Sequence, residues 1–576
     1  MACMAQEKSW RTALVCLLAL APLWAIGVLG RGYWTPDEPR ERAVSWRMAQ
    51  PGESAAVPNL AGTPLLEKPP AYYWLSSAAL RAAPSLDAAP RIPNLLYAAI
   101  AMFATLLWAR AAGVRRHAWL VALVSGSFVL AYQVAIWLAT DAVLVACVAL
   151  ALLGGYRGYT AAPGRTKLCW YLLMHAAAAY GFLAKNAIAW ILPALAMAAI
   201  ILWERNWREL RRIELWAGLG LQAVIVGAWI LAVLELPNGR EALRGFLWYN
   251  LVGRFVPLSD VPPGLKYTDS HQNWPGKYLV ELPIYLLPWS ALAVAALRRA
   301  WHAVRSGSSS ATAWRFALGY ILAVTLVLSV AATARGIYYA PVLPAFAVLI
   351  GLWSEEHLAH PDAFERRALK ITRWLVAGFV LLAIVMLGVA RSAGLDVQVV
   401  PALGALLLAT AMWYANGRAA LNNSNHFALA SLYAAFAASV LAIALVLFPI
   451  LDRSQDLVGM ARRVDSDTAQ RDLALLMPDE TTLAMFDVAT AGRRVVTLTS
   501  PDDARRRLAN NPRLVVFGLL PGRNTGPVRT WLANRGVALR EKNKPTGASR
   551  AAAELGLKME KVYDVPDGRQ YALWSR

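Results

Sequence analysis

Long apolar runs dominate this 576-residue chain, and three polar stretches interrupt or follow them. Runs long enough to cross a bilayer lie near 12–30, 91–110, 117–134, 137–155, 168–184, 186–203, 214–236, 278–297, 316–334, 338–354, 374–390, 399–415 and 427–451. By the criterion of ~20 residues per span they predict about thirteen membrane helices. The polar stretches are 31–90, 237–277 and everything after Asp452. The last lacks a membrane-length run. It mixes helix-like segments, Asp472–Leu476, Pro501–Ala509 and Val528–Arg535, with strand-like ones, Arg494–Leu498 and Arg513–Gly518. The fold expected is therefore a polytopic α-helical membrane domain, residues 1–451, followed by a small soluble α/β domain, residues 452–576.

Charge orients this pattern. Arginines and lysines gather in alternate connections: Arg110, Arg115 and Arg116; Arg157, Arg165 and Lys167; Arg205 to Arg212; Arg298 to Arg315; Arg366 to Arg373. The intervening short loops carry Lys185, Arg335 and Arg391 and almost no other positive charge. With positive loops inside, an inner N-terminus and an odd number of spans, all three polar stretches fall on the extracytoplasmic side. Asp141, Lys185 and Arg335 fall there too. The net charge of +21 is then a topology signal, and no module with a basic, aromatic-studded patch suggests nucleic acid. Cys3, Cys16, Cys147 and Cys169 form neither a CxxC pair nor a disulfide framework. The first run lacks a convincing small-residue cleavage site and reads as a retained anchor.

Ionisable residues beside a bilayer are costly unless they meet water, a metal or a charged ligand. Asp37 and Glu38 follow the first span closely, between Pro36 and Pro39, which prevent a regular helix from running through them. A bland loop carboxylate competes with a general base or cation ligand here. The segment from Glu41 to Gln50 reads as a short interfacial helix with Ala43, Val44, Trp46 and Met48 toward lipid. Lys68 sits between Glu67 and Pro69-Pro70, ahead of Tyr72-Tyr73-Trp74. It is suited to snorkel to headgroups or to hold a lipid phosphate, with Lys185 and Arg335 as further cations. Glu67 with His271 would suit a divalent ion such as zinc, manganese or magnesium. The chain has no GxSxG, HExxH, SxxK or P-loop sequence, so hydrolase, metalloprotease and ATPase readings lack their motifs. An enzyme working outside the cytoplasm without ATP needs a donor already activated in the membrane, and a polyprenyl-phosphate sugar meets that need.

The Asp37-Glu38 pair after the first helix and the block Glu67-Lys68-Pro69-Pro70-Ala71-Tyr72-Tyr73-Trp74 resemble the membrane glycosyltransferases of the GT-C class. More narrowly they are similar to the bacterial aminoarabinose transferase (ArnT-like) branch, related to protein O-mannosyltransferases. Arg91, Asp141, Phe182-Leu183-Ala184-Lys185, Arg254-Phe255, His271 and Tyr338-Tyr339-x-Pro341-x-x-Pro344 extend the likeness. The resemblance implies that Asp37 is the principal catalytic carboxylate, with Glu38 beside it and Asp141 as a second acid. Lys68 and Arg335, assisted by Lys185, would face the donor phosphate, and Glu67 with His271 would bind a metal. Departures stand at Pro39, Glu41 and Leu65, where the family tends to have Thr, Tyr and Tyr.

The function expected is an inner-membrane, inverting transfer of a sugar from a polyprenyl-phosphate carrier to an extracytoplasmic acceptor, foremost lipid A. The sugar implied by the resemblance is 4-amino-4-deoxy-L-arabinose, and a monomer is expected. The alternatives are the same donor chemistry on a protein, O-antigen or other envelope glycan, and a lipid or solute transporter, which would need ionisable residues reachable from both sides.

Overall fold

The computed structural model describes residues 2–35, 37–254, 258, 273–274, 276–306, 310–422, 424–490, 495–521 and 545–576. The membrane half runs α1 (Ala2–Leu29), α2 (Glu38–Ala49), α3 (Ala71–Ala82), α4 (Ile92–Ala111), α5 (Ala118–Ser127), α6 (Val129–Ile136), α7 (Asp141–Thr160), α8 (Arg165–Lys185), α9 (Ile188–Glu204), α10 (Ile213–Trp216), α11 (Gly218–Leu234) and α12 (Gly239–Arg244). It continues with α13 (Lys277–Tyr285), α14 (Ser290–Ser306), α15 (Ala311–Val330), α16 (Leu343–His357), α17 (Ala363–Ser392), α18 (Val399–Leu421) and α19 (Asn425–Ser454). Among the described residues nine helices are long and apolar enough to cross a membrane, or up to eleven if each of two bent pairs is one span. The runs near 168–184 and 186–203 fall on α8 and on the 17-residue α9.

Two breaks in the bundle satisfy one another. α5 and α6 bend by 64° after Ser127, and α13 and α14 bend by 118° before Ser290, where Pro288 removes a helical N–H donor. Val129 donates its backbone N–H to the Leu287 carbonyl at 2.9 Å, and the Trp289 indole N–H donates to Ser127 Oγ at 2.9 Å. Backbone groups freed inside apolar surroundings thus find partners within the protein. Elsewhere small residues bring helices close. A Cβ on Gly154 of α7 would lie 2.7 Å from the Trp170 carbonyl of α8, so only glycine permits that approach.

A two-stranded hairpin, β1 (Asn59–Leu60) and β2 (Thr63–Pro64), lies between α2 and α3. The C-terminal region folds as α20 (Leu457–Asp467), β3 (Asp472–Leu476), α21 (Glu480–Ala489), β4 (Val496–Leu498), α22 (Pro501–Asn510), β5 (Leu514–Leu519), α23 (Gly547–Glu554), β6 (Lys558–Asp564) and β7 (Gln570–Ser575). Its sheet has the order β4-β3-β5-β7-β6, with β3 parallel to β4 and β5, and β7 antiparallel to β5 and β6. Side chains alternate between faces: Leu473 and Leu475 pack with α20 and α21, while Ala474 and Leu476 pack with α22 and α23.

Two expectations need correction here. Asp472–Leu476 is the buried strand at the centre of the parallel part, not a helix, because a short apolar run carries no periodicity that tells the two apart. The segment after Asp37 does form a helix, yet Ala43, Val44 and Met48 are buried against protein rather than turned to lipid. α2 packs on α3 and on α21 of the C-terminal region. The helix-like segment 528–535 lies outside the described residues.

Candidate functional site

The turn between α1 and α2 is held rigidly from behind. Glu38 is fully buried and accepts from Arg31 Nη1 at 2.5 Å and Arg31 Nη2 at 2.6 Å. It also takes the backbone N–H groups of Trp34 and Leu138, both at 2.8 Å. Arg91, fully buried as well, donates to the carbonyls of Gly32 and Arg31 at 2.8 and 2.5 Å. This knot ties the turn to the α6–α7 connection. Its carboxylate has no capacity left for a substrate, which corrects the expectation that Glu38 shares in the chemistry. From the other side, Asp452 Oδ1 accepts from Gly32 N and Trp34 Nε1, both at 2.8 Å, and Gln455 Oε1 from Thr35 N at 2.8 Å.

Asp37, the residue just before Glu38, has different partners and is partly exposed. Its Oδ2 accepts from Arg335 Nη2 at 2.7 Å, and its Oδ1 lies 3.9 Å from Arg40 Nη2. Burial works against its charge, but Lys68, Arg335 and Arg40 outweigh it and hold the carboxyl at about 2. The turn and bend through Glu67-Lys68-Pro69-Pro70 lead into α3 and deliver Lys68, whose Nζ lies 2.5 Å from Glu41 Oε1. Arg40 is the hub, meeting Glu41 at 2.9 Å, Glu67 at 3.1 Å and Glu480 of α21 at 2.8 Å. Across from these, Lys185 at the end of α8 pairs with Asp141 at the start of α7, and its ammonium lies 5.2 Å from the Tyr338 ring centre.

Lys68, Glu67, Lys185 and Tyr338 line a single cleft of about 770 Å³, including its open mouth. Leu144 of α7, Ile188 and Leu192 of α9 and Leu328 of α15 form an apolar wall, with Asn250 and Thr333 as further polar lining. An apolar slot ending in fixed cations is suited to a lipid carrying an anionic head.

Five expected residues, Asp37, Lys68, Asp141, Lys185 and Arg335, thus gather at one end of the bundle, while Glu38 is turned away. His271 lies outside the described residues. Glu67 offers a poor start to a metal centre, since its carboxylate is held by Arg40. Among the described residues no group of three or more His, Cys, Asp or Glu side chains is arranged to hold an ion. The sequence assigns no role to Arg40, Glu41, Tyr73 or Glu480. Glu41 was visible only as a departure from the family pattern, and Glu480 stands 440 residues from its partner Arg40.

Residues 67–231 match the family model for dolichyl-phosphate-mannose-protein mannosyltransferase. The chain is 29% identical over 397 residues to the undecaprenyl phosphate-alpha-4-amino-4-deoxy-L-arabinose arabinosyl transferase of Pseudomonas paraeruginosa, covering 67% of this chain and 66% of that one. With the enzyme of the same description from Pseudomonas aeruginosa the identity is 30% over 307 residues, 52% of each chain. The chain therefore spans about half to two thirds of the length of these relatives. Among solved structures, ArnT from Cupriavidus metallidurans bound to undecaprenyl phosphate superposes with a TM-score of 0.67 at 17% identity, over 97% of each chain. The fold is that of the GT-C membrane glycosyltransferases. Within that class, both the sequence and the fold resemble the ArnT-like branch.

Proposed function

We propose that this protein is an inner-membrane glycosyltransferase that takes a sugar from a polyprenyl-phosphate carrier and attaches it to lipid A on the periplasmic side. The observation that carries the reading is the cleft in which an apolar wall ends at Lys68 and Lys185, with Asp37 and Arg335 beside it. The similarity to aminoarabinosyl transferases supports undecaprenyl phosphate as the carrier and 4-amino-4-deoxy-L-arabinose as the sugar.

The chemistry is direct displacement at the anomeric carbon, with inversion. As the bond to the carrier phosphate breaks, negative charge grows on the phosphate and positive charge on the sugar ring. Lys68, Lys185 and Arg335 stabilise the first, and Asp37 the second. A carboxyl held at about 2 is ionised at neutral pH and a weak base. That favours a lipid A phosphate as acceptor, because it brings no proton to remove.

The test is reconstitution of the full chain in lipid nanodiscs with polyprenyl-phosphate sugar and lipid A, read by mass spectrometry. The expected product is lipid A carrying one added sugar on phosphate. A sugar found only on protein or O-antigen in cells expressing the gene would move the acceptor, and a donor left unconsumed with every acceptor would overturn the enzyme reading in favour of transport.

A further inference from the structure

We infer that Glu41 is a positioning residue that fixes Lys68 at the mouth of the cleft and weakens this chain's resting grip on the lipid phosphate. The inference rests on the donor reading above. Glu41 lies on the first turn of α2 and its side chain is wholly buried, while Lys68 keeps 16% of its side chain exposed. One carboxylate oxygen accepts from Lys68 at 2.5 Å and Arg40 at 2.9 Å, and the other from the Tyr73 hydroxyl at 2.5 Å. Burial penalises the Glu41 charge, but Lys68 and Arg40 more than offset it and hold the group ionised.

Two consequences follow from a buried carboxylate at this position. A lysine ammonium has three N–H donors on a flexible stem; anchoring one to a rigid acceptor orients the others and removes rotamer freedom. The anion also cancels one unit of positive charge next to the cleft. A neutral residue at this position would leave that charge in place. Lys68 then binds an arriving lipid phosphate less tightly, yet stands ready for the charge that grows as the phosphate departs, so differential stabilisation favours turnover over binding.

The experiment uses the full chain in nanodiscs, with binding of radiolabelled polyprenyl phosphate and transfer from polyprenyl-phosphate sugar measured in parallel. Glu41→Gln is expected to bind polyprenyl phosphate roughly tenfold tighter while kcat falls roughly tenfold and KM drops with it. In a Lys68→Ala background the same substitution is expected to change neither quantity, since its effect passes through the lysine. Glu41→Asp keeps the charge on a shorter arm and is expected to lose turnover without gaining affinity; it carries the test if Glu41→Gln fails to fold. Equal affinity and kcat in Glu41→Gln and the unaltered chain would overturn the inference alone, as would parallel losses of both that persist without Lys68. An unaltered chain that binds no polyprenyl phosphate would overturn the donor reading and this inference with it.

Discussion

Asp37 and Glu38 are adjacent acids on one turn, and they have opposite fates. Glu38 is sealed in a knot with Arg31 and two backbone N–H groups, with no surface exposed. Asp37 stands at the edge of a loose cluster in which Arg335, Arg40, Lys68 and Lys185 remain partly exposed. The difference teaches that ionisable residues at a membrane edge divide into those that hold the site and those that face the ligand. Saturation of hydrogen-bonding capacity separates them, where sequence position does not.

The sharpest way to break this comparison is to open the knot. Glu38→Ala leaves Arg31 charged and buried without its partner and is expected to cost about 3–5 kcal/mol of stability. Thermal unfolding of the purified chain in detergent reads this as a large fall in Tm. The double change Arg31→Met with Glu38→Leu should recover much of the loss, because it removes both charges together. A knot of no consequence would show itself as an unchanged Tm in Glu38→Ala.

The second effect falls on rate instead of stability. Asp37→Asn preserves shape and some hydrogen bonding but removes the charge that, in the proposed reaction, faces the sugar. Transfer is expected to fall by about 100- to 1,000-fold, the usual scale for removing one preorganised electrostatic contact. Tm should fall by less than in Glu38→Ala, losing only the support that the ionised carboxylate lends the fold, since Asp37 is neither saturated nor sealed. If Asp37→Asn lowered Tm as Glu38→Ala does, the two acids would belong to one structural unit.

This pair also marks where the sequence stops being legible. Each of the thirteen apolar runs falls on helix, because the bilayer demands length and apolarity that composition records directly. Lys68, Lys185 and Arg335 stood out for a similar reason: a charge beside a bilayer is rare enough to notice. The different partners of Asp37 and Glu38 depend on Arg31, Arg91 and the backbone of Leu138, which meet only once the α6–α7 connection has packed on the turn. The buried face of α2 is hidden from the sequence for a related cause. That face mixes Ala43, Val44 and Met48 with Glu41 and Ser45, lipid and α21 are indistinguishable to an isolated helix, and α21 follows it by more than 430 residues.

A third outcome concerns pH. Asp37 has its folded value depressed to about 2 from an ordinary 3.8, so its ionised form supports the fold above the ordinary value. That support is lost as pH falls from the ordinary value through about 2. Between pH 5 and 8 Asp37 should therefore add no titration to kcat/KM. Lys68→Ala removes the leading favourable charge and should move the acid limb of the pH–rate profile upward, toward the ordinary carboxylate range. An acid limb that stayed in place would mean that Arg335 and Arg40 alone set the charge on Asp37.

The smallest effect is expected at the rim. Glu480 reaches Arg40 from α21 at 2.8 Å, but 60% of its side chain is exposed, and exposed ion pairs contribute about 0–1 kcal/mol. In Glu480→Gln, Arg40 keeps Glu41 and Glu67, and the C-terminal region keeps its grip through Arg47, whose Nε donates to the buried Asp487 at 2.8 Å. Both Tm and transfer should then change little, by less than about fivefold in rate, and the residual effect should shrink further in high salt. Asp487→Asn, which strips charge from the buried contact, should cost more than Glu480→Gln. A loss in Glu480→Gln as large as that of Asp37→Asn would mean that α21 supplies part of the reacting site, and the line between residues that hold and residues that face the ligand would have to be redrawn through the C-terminal region.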